Sequence, residues 1–205
     1  FYGYIWTGLD ESGKDTYQDM DNSGTIDGFD RRVIGKATPD FTVGWNNTLT
    51  YKNWDLNLFF NGAFGADRLN LARFTMASMV GDSRFITLRE AYTDNFDKVG
   101  QSAIYPGLKV AGNNYQAVST KWVEDASYVR LENISLSYNL SKKVTKFADI
   151  RLTLSCQNLF TITGYKGMDP VGTTFSNDNV DVDAGIDMGA YPTPRTFTFG
   201  VRMNF

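Results

Sequence analysis

Five segments of this chain alternate large apolar with small polar residues at period two, and this pattern fixes what the chain can become. Over 41–51, Phe41, Val43, Trp45, Leu49 and Tyr51 fall on one face, with Thr42, Gly44, Asn46, Thr48 and Thr50 on the other. After the polar pair Lys52-Asn53, residues 54–64 repeat the scheme: Trp54, Leu56, Leu58, Phe60 and Phe64 oppose Asp55, Asn57, Phe59, Asn61 and Ala63. The two predict a hairpin. Segment 128–140 sets Ile134, Leu136, Tyr138 and Leu140 against Asn133, Ser135, Ser137 and Asn139, with a less regular first half. Segment 150–160 sets Ile150, Leu152, Leu154, Cys156 and Phe160 against Arg151, Thr153, Ser155, Gln157 and Leu159. Segment 196–205 alternates Phe197, Phe199, Val201, Met203 and Phe205 with Thr196, Thr198, Gly200, Arg202 and Asn204.

The connections alternate as well: long over about 8–40, 65–127 and 163–194, short at 52–53 and 141–149. Compact domains rarely hold structureless connections beyond about 15 residues, whereas outer-membrane barrels pair short periplasmic turns with long extracellular loops. With 52–53 and 141–149 as the periplasmic turns, Tyr51, Trp54, Tyr138 and Phe205 mark the lower rim of the apolar face. Phe41, Phe64, Phe160 and Phe197 mark the upper rim, giving two aromatic girdles. Strands of this length, tilted, cross a bilayer's hydrocarbon core.

A water-soluble β-sandwich shows the same alternation. Magnitude separates the two. Each large apolar side chain left in water costs about 1.5–3 kcal/mol, so five such faces cost tens of kcal/mol against a net stability of about 5–15 kcal/mol. The sequence offers no second sheet of comparable size as a cover, which leaves lipid. The expected fold is all-β, a segment of an antiparallel transmembrane β-barrel. Five strands cannot close, since such barrels need about eight or more. The opening run Phe1-Tyr2-Gly3-Tyr4-Ile5-Trp6-Thr7, with no leader ahead of it, is expected to be the upper end of a sixth strand.

Composition narrows the chemistry. The 205 residues contain no His, one Cys and a formal charge of −3. Without His, Ser-His and Cys-His catalysis are excluded, and the net negative charge gives no attraction for nucleic acid. Cys156, on an apolar face, reads as a small hydrophobe. The Asp residues include no two that the sequence places across a cleft for glycoside hydrolysis. No enzymatic activity is expected.

The sharpest local motif runs Asp19-Met20-Asp21-Asn22-Ser23-Gly24-Thr25-Ile26-Asp27-Gly28-Phe29-Asp30. Oxygen-bearing Asp19, Asp21, Ser23, Asp27 and Asp30 stand at the first, third, fifth, ninth and twelfth places of a calcium loop. Gly24 is at the sixth and the Thr25 carbonyl at the seventh. Ser23 and Asp30 replace the usual Asp or Asn and the bidentate Glu, and no amphipathic helix leads in, so a weak, static calcium site is expected. The competing reading is an Asp/Asn/Gly-rich turn without an ion. In the 65–127 connection, Phe85, Leu88, Tyr92 and Phe96 recur at near-helical spacing ahead of Tyr105-Pro106-Gly107 and Trp122. Such aromatics either stack on sugar rings or pack internally, and internal packing is favoured. The acidic run Asp178-Asn179-Val180-Asp181-Val182-Asp183 reads as a solvated loop tip in preference to a cation site.

Several stretches together resemble the C-terminal barrel segment of the SusC/RagA family of TonB-linked outer-membrane transporters. They are the Asp-rich loop running into Asp30-Arg31-Arg32-Val33-Ile34-Gly35 with Pro39, then Tyr92-Thr93-Asp94-Asn95 with Tyr105-Pro106, and Tyr128 to Tyr138. Gln157-Asn158-Leu159-Phe160, Gly167-Met168-Asp169-Pro170 and the closing run Tyr191 to Phe205 complete the set. The resemblance implies a barrel of about 22 strands with a plug, in the outer membrane of a Bacteroidetes-type bacterium. It implies a SusD-like surface lipoprotein as lid, energy relayed by TonB through a plug these residues do not contain, and oligosaccharides or peptides as cargo. It further implies that the last strand, with Phe199, Val201, Met203 and Phe205, is read by the barrel-assembly machinery. The alternative, from another class, is a soluble glycan-binding β-domain with a calcium-stabilised loop.

Overall fold

The computed structural model describes residues 1–78, 87–107, 117–172 and 185–205. In chain order the strands begin with β1 (Tyr2–Gly3), β2 (Trp6–Leu9), β3 (Asp15–Tyr17) and β4 (Arg32–Val33). Two long strands follow, β5 (Phe41–Tyr51) and β6 (Trp54–Phe64), then the short β7 (Asp67–Asn70) and β8 (Val123–Asp125). The long β9 (Tyr128–Leu140) and β10 (Asp149–Thr163), the short β11 (Ile186–Asp187) and the closing β12 (Thr196–Asn204) complete the set. The helices are brief: α1 (Leu71–Ser78), α2 (Arg89–Thr93), α3 (Phe96–Val99) and α4 (Lys142–Thr145). Among the described residues no helix is long and apolar enough to cross a membrane.

The chain divides into two compact units. One is the sheet β12-β10-β9-β6-β5, antiparallel throughout. β5 and β6 join through the two-residue turn Lys52-Asn53, where Lys52 adopts a left-handed φ of 53°. β9 and β10 join through Ser141 to Ala148, and the Ser141 hydroxyl caps α4 by accepting from the Lys143 N–H. Register carries the apolar pattern straight across the sheet. One row reads Leu49, Leu56, Leu136, Leu154, Phe199, and the next reads Tyr51, Trp54, Tyr138, Leu152, Val201.

The irregular first half of the 128–140 segment has a structural cause. β9 carries one extra residue, Glu132, between the pairs Phe59↔Asn133 and Phe60↔Leu131, and β10 bulges at Asn158 and Leu159 between Gln157 and Phe160. An extra residue flips the side-chain parity of all that follows. Val129 and Leu131 thereby join the face of Ile134 and Leu136, and Tyr128 and Arg130 join the polar face. Asn158 absorbs the kink with a left-handed φ of 53°.

The other unit comprises residues 1–38, 66–125 and 165–191, so far as these are described. The described parts of the long connections are therefore not featureless: they form three small sheets, β1-β4, β2-β3 and β11-β7-β8. The hydrophobic core lies here, built on Leu69, Ala77, Ala91, Tyr105 and Trp122 with Phe74 and Leu88 against it. Phe74 meets Trp122 edge-on at 5.4 Å. Phe1 to Thr7, expected as the end of a sixth long strand, corrects to two short strands: β1 pairs with β4 and β2 with β3. The reason is that its backbone is shared among several partners. Tyr4 N–H donates to the Val118 carbonyl, and the Tyr4 carbonyl accepts from Thr120 N–H. Gly3 runs so close to the Val118 carbonyl that a Cβ would collide with it.

Candidate functional site

The apolar face of the five-stranded sheet is open. Trp45 is 53 % exposed, Leu154 55 % and Val201 48 %, and no second layer of the described residues in this unit covers them. Leu58 is half-buried and Cys156 buried by their sheet neighbours. The aromatics expected at the rims are placed as follows. Phe41 stacks on Phe64 with centroids 5.0 Å apart, and Trp54 meets Tyr138 at 4.5 Å beside Tyr51. Phe160 lies opposite Leu131 just past the bulge, Phe197 opposite Cys156, and Phe205 follows the last strand, 88 % exposed. An apolar surface this continuous exceeds what a soluble monomer leaves to water. One polar residue interrupts it: Asn47, whose Oδ1 is buried without a hydrogen-bond partner among the described residues.

The opposite face is a hydrogen-bonded polar lattice. Asp55 accepts from the Thr50 hydroxyl at 3.0 Å and Asn139 Nδ2 at 3.0 Å, and pairs with Arg151 at 3.2 Å. Asn57 Nδ2 donates to Thr48 Oγ1 at 2.8 Å and Asn46 Oδ1 at 3.1 Å, while Ser137 and Thr153 share a bond of 2.9 Å. Arg130 donates to Thr161 at 2.8 Å, and Asn61 donates to Glu132 at 3.1 Å. At the bulge, Phe59, Glu132, Asn133, Gln157 and Asn158 line a hollow of about 220 Å³. A face built of amides, hydroxyls and paired charges suits contact with water and polar solutes, and the sequence shows it as the alternate residues of each strand.

In the Asp-rich loop the structure brings Asp19, Asp21 and Asp30 together, each offering an oxygen within 4.8 Å of the others. Asp30 is fully buried, its carboxylate accepting from the Met20 and Asp27 N–H groups at 2.7 and 2.8 Å. Asp19 accepts from the Gly24 N–H at 2.8 Å, the main reason its carboxyl is held below the ordinary range, and so it stays ionised. Asn22 and Gly24 take left-handed φ values of 58° and 81°, which curl the loop around these oxygens. The other expected ligands make local bonds: Ser23 Oγ donates to the Thr25 carbonyl at 3.0 Å, and Asp27 accepts from the Phe29 N–H at 2.8 Å, capping the single 3-10 turn Gly28–Asp30. Three convergent carboxylates, with no Lys or Arg among the described residues bonded to them, form an all-oxygen donor set that fits a hard cation.

Two charge clusters in the same unit, one centred on the buried Arg73 and one on the buried Lys121–Asp15 pair, give no signal in the sequence, because their members are distant along the chain. Arg73 donates to Glu90 at 2.5 Å, Glu124 at 2.8 Å and the Tyr105 hydroxyl at 2.6 Å. Burial pushes Tyr105 up to about 12, and Arg73 holds Glu90 below the usual carboxylate range. Lys121 pairs with Asp15 at 2.7 Å, both nearly inaccessible, with Trp6 and Trp122 rings 5.0 and 5.1 Å from its ammonium. Trp122 and Tyr105, weighed above as sugar-stacking aromatics, are buried in the core, whereas Tyr92 is exposed beneath Lys98. Phe85 and the acidic run 178–183 lie outside the described residues.

No family model matches the chain. Its whole length is 35 % identical to the TonB-dependent receptor P3 of Formosa agariphila, covering 22 % of that protein. It is 28 % identical, again over its whole length, to the TonB-dependent receptor SusC of Bacteroides thetaiotaomicron, covering 19 % of it. Its fold matches that of the RagAB peptide transporter with a TM-score of 0.80 at 21 % identity, over all of this chain and 22 % of that one. The chain thus spans about a fifth of the length of the relatives it matches. The SusC/RagA resemblance read from the motifs is borne out, and the fold is an unclosed, antiparallel segment of that architecture.

Proposed function

We propose that this chain is the C-terminal barrel portion of a TonB-dependent outer-membrane transporter that imports oligosaccharides or peptides with a SusD-like lipoprotein. The carrying observation is the sheet with one open apolar face and one polar lattice, within a chain alignable along its whole length to TonB-dependent receptors. In this reading the apolar face meets acyl chains, the rim aromatics Phe41, Phe64, Phe160 and Phe197 and Tyr51, Trp54, Tyr138 and Phe205 sit in the two interfaces, and the polar face lines the lumen. β5 and β12, at the two edges of the sheet order, pair with neighbouring strands of the parent barrel, because an open edge in hydrocarbon costs several kcal/mol per unpaired group. The barrel-assembly machinery reads β12, and TonB acts on a plug contributed by other residues.

The Asp-rich loop, in the same reading, holds Ca²⁺ through Asp19, Asp21 and Asp30, with Ser23, the Thr25 carbonyl and Asp27 completing the cage after modest local rearrangement. The ion would screen three like charges and fix the loop.

The test is uptake by the bacterium that encodes the chain. Deleting residues 128–205 from the parent gene should abolish growth on the cargo and remove the protein from outer-membrane fractions. Recovery of a stable, soluble 205-residue product in buffer without detergent would overturn the reading in favour of a soluble binding domain.

A further inference from the structure

The unit built from the long connections contains a cavity of about 380 Å³, bounded by the start of α1, the start of α2 and the segments 166–168 and 187–189. Its size suits a small ligand or the end of a longer one. At its base is Asn70, 1 % exposed. The Asn70 Oδ1 accepts from the Arg73 N–H at 2.9 Å and so caps α1, but its Nδ2 is buried with no hydrogen-bond partner among the described residues. A buried amide donor left unpaired is costly, and a ligand acceptor is one way to satisfy it.

The charges around the cavity are unequally used. Asp187 is saturated: Oδ2 accepts from the Tyr165 hydroxyl at 2.6 Å, and Oδ1 from the Gly189 and Ala190 N–H groups at 2.8 and 3.1 Å. Glu90 is taken by Arg73 and by the Tyr105 hydroxyl. Arg89 and Lys166, exposed at the opening, have no ion-pair partner among the described residues. Lys166 adds to the field that keeps Glu90 ionised but makes no ion pair with it, so the charge left unpaired at the opening is positive. The remaining walls are aliphatic, from Met76, Leu88 and Met168, and among the described lining residues there is no aromatic ring on which a sugar could lie.

We propose that this cavity binds the C-terminal residue of a peptide. The carboxylate is held by Arg89 and Lys166, a carbonyl oxygen accepts from Asn70 Nδ2, and an aliphatic side chain rests against Met76, Leu88 and Met168. The inference deepens the import reading by naming a subsite for its cargo, and rests on it for biological meaning; binding is measured without transport, so the two can fail separately.

The experiment uses the full-length receptor in detergent, titrated calorimetrically with acetyl-Ala-Leu-Leu bearing a free carboxylate, with the same peptide as its C-terminal amide, and with glucuronate. The free acid should bind at least about 10-fold more tightly than the amide, the scale of a lost charge-assisted contact. Arg89→Gln with Lys166→Gln, both at exposed positions, should erase that preference. Asn70→Asp keeps an acceptor for the Arg73 N–H, removes the donor and should weaken the acid about 10-fold or more. Equal binding of acid and amide, unchanged discrimination in the double variant, glucuronate binding as tightly as the peptide acid, or no peptide binding would each overturn the proposal. Intact discrimination together with uptake that survives deletion of residues 128–205 from the parent gene would overturn the import reading alone.

Discussion

Ile134→Arg puts the placement of the apolar face to a quantitative test. Ile134 is the central residue of β9, the middle strand of the sheet, flanked by Leu58 and Cys156 on its neighbours. At about 3.3 Å per residue and a tilt of about 40°, it lies roughly 15 Å along the bilayer normal from either end of its strand. That places it near the midplane, where an Arg costs about 2–4 kcal/mol, a roughly 30- to 700-fold shift in the folding equilibrium. Leu136→Arg, two residues nearer the short-turn rim, should cost less, because the penalty declines to about 0–1 kcal/mol towards the interface. Ser135→Arg, on the polar face between them, should cost under about 1 kcal/mol, as water-facing substitutions do. Urea unfolding of the full-length protein in lipid vesicles measures all three. Equal costs at 134 and 135, or no decline from 134 to 136, would refute the lipid-facing assignment.

Other perturbations have definite outcomes. Asn47→Leu removes an unpartnered buried oxygen from the apolar face and should raise stability by about 1 kcal/mol in the same assay; a loss would mean that Asn47 bonds to an adjoining strand. Asp30→Ala leaves the Met20 and Asp27 N–H groups without their acceptor. It should cost the 19–30 loop about 2–4 kcal/mol of local stability, seen as faster amide exchange, and abolish any protection by added Ca²⁺; unchanged exchange would contradict the packing described. Burial raises Tyr105 from 10.0 to about 12, and Tyr17 and Tyr165 shift in the same direction. The Tyr105 contribution is therefore complete below pH 10 and declines as pH rises between about 10 and 12, while those of Tyr17 and Tyr165, complete below the same pH, go on declining above that window. Near-ultraviolet circular dichroism and tyrosinate absorbance should change together in that window, and ionisation at the ordinary value with the fold intact would contradict it. Glu90, lowered by Arg73, gives the opposite sign. Its stabilisation holds above the usual carboxylate pKa and is lost as pH falls through its depressed value, so Glu90→Gln should reduce acid sensitivity in thermal melts.

What the sequence made legible follows from how local the determining physics is. The 41–51 and 54–64 strands coincide with β5 and β6 because each residue's face is set by its immediate neighbours and the turn between them is two residues long. The 128–140 segment coincides with β9, but the period assigns no face to its upper half, since Glu132 reverses parity and only the partner strand reveals the reversal. The unit built from the long connections is opaque for a different reason. Its helices span four to eight residues, too short to show a period, and β7 is ordered by β8, more than fifty positions later in the chain. Arg73, Glu90 and Glu124 likewise become a network only through tertiary packing. The Asp-rich loop lies between these cases: its spacing points to six oxygen donors, Asp19, Asp21, Ser23, Thr25, Asp27 and Asp30, of which the structure brings Asp19, Asp21 and Asp30 together, and it gives no sign that Asp30 is wholly buried and bonded to the loop's own backbone.

The most direct test is spin-label accessibility along β10 in the vesicle-embedded, full-length protein, with Cys156 replaced by Ala and single cysteines placed from 150 to 155. Labels at Ile150, Leu152 and Leu154 should collide readily with dissolved oxygen, and those at Arg151, Thr153 and Ser155 with a water-soluble nickel chelate, alternating residue by residue. Nickel contact at both sets, or oxygen contact that does not alternate, would mean that the apolar face does not meet lipid.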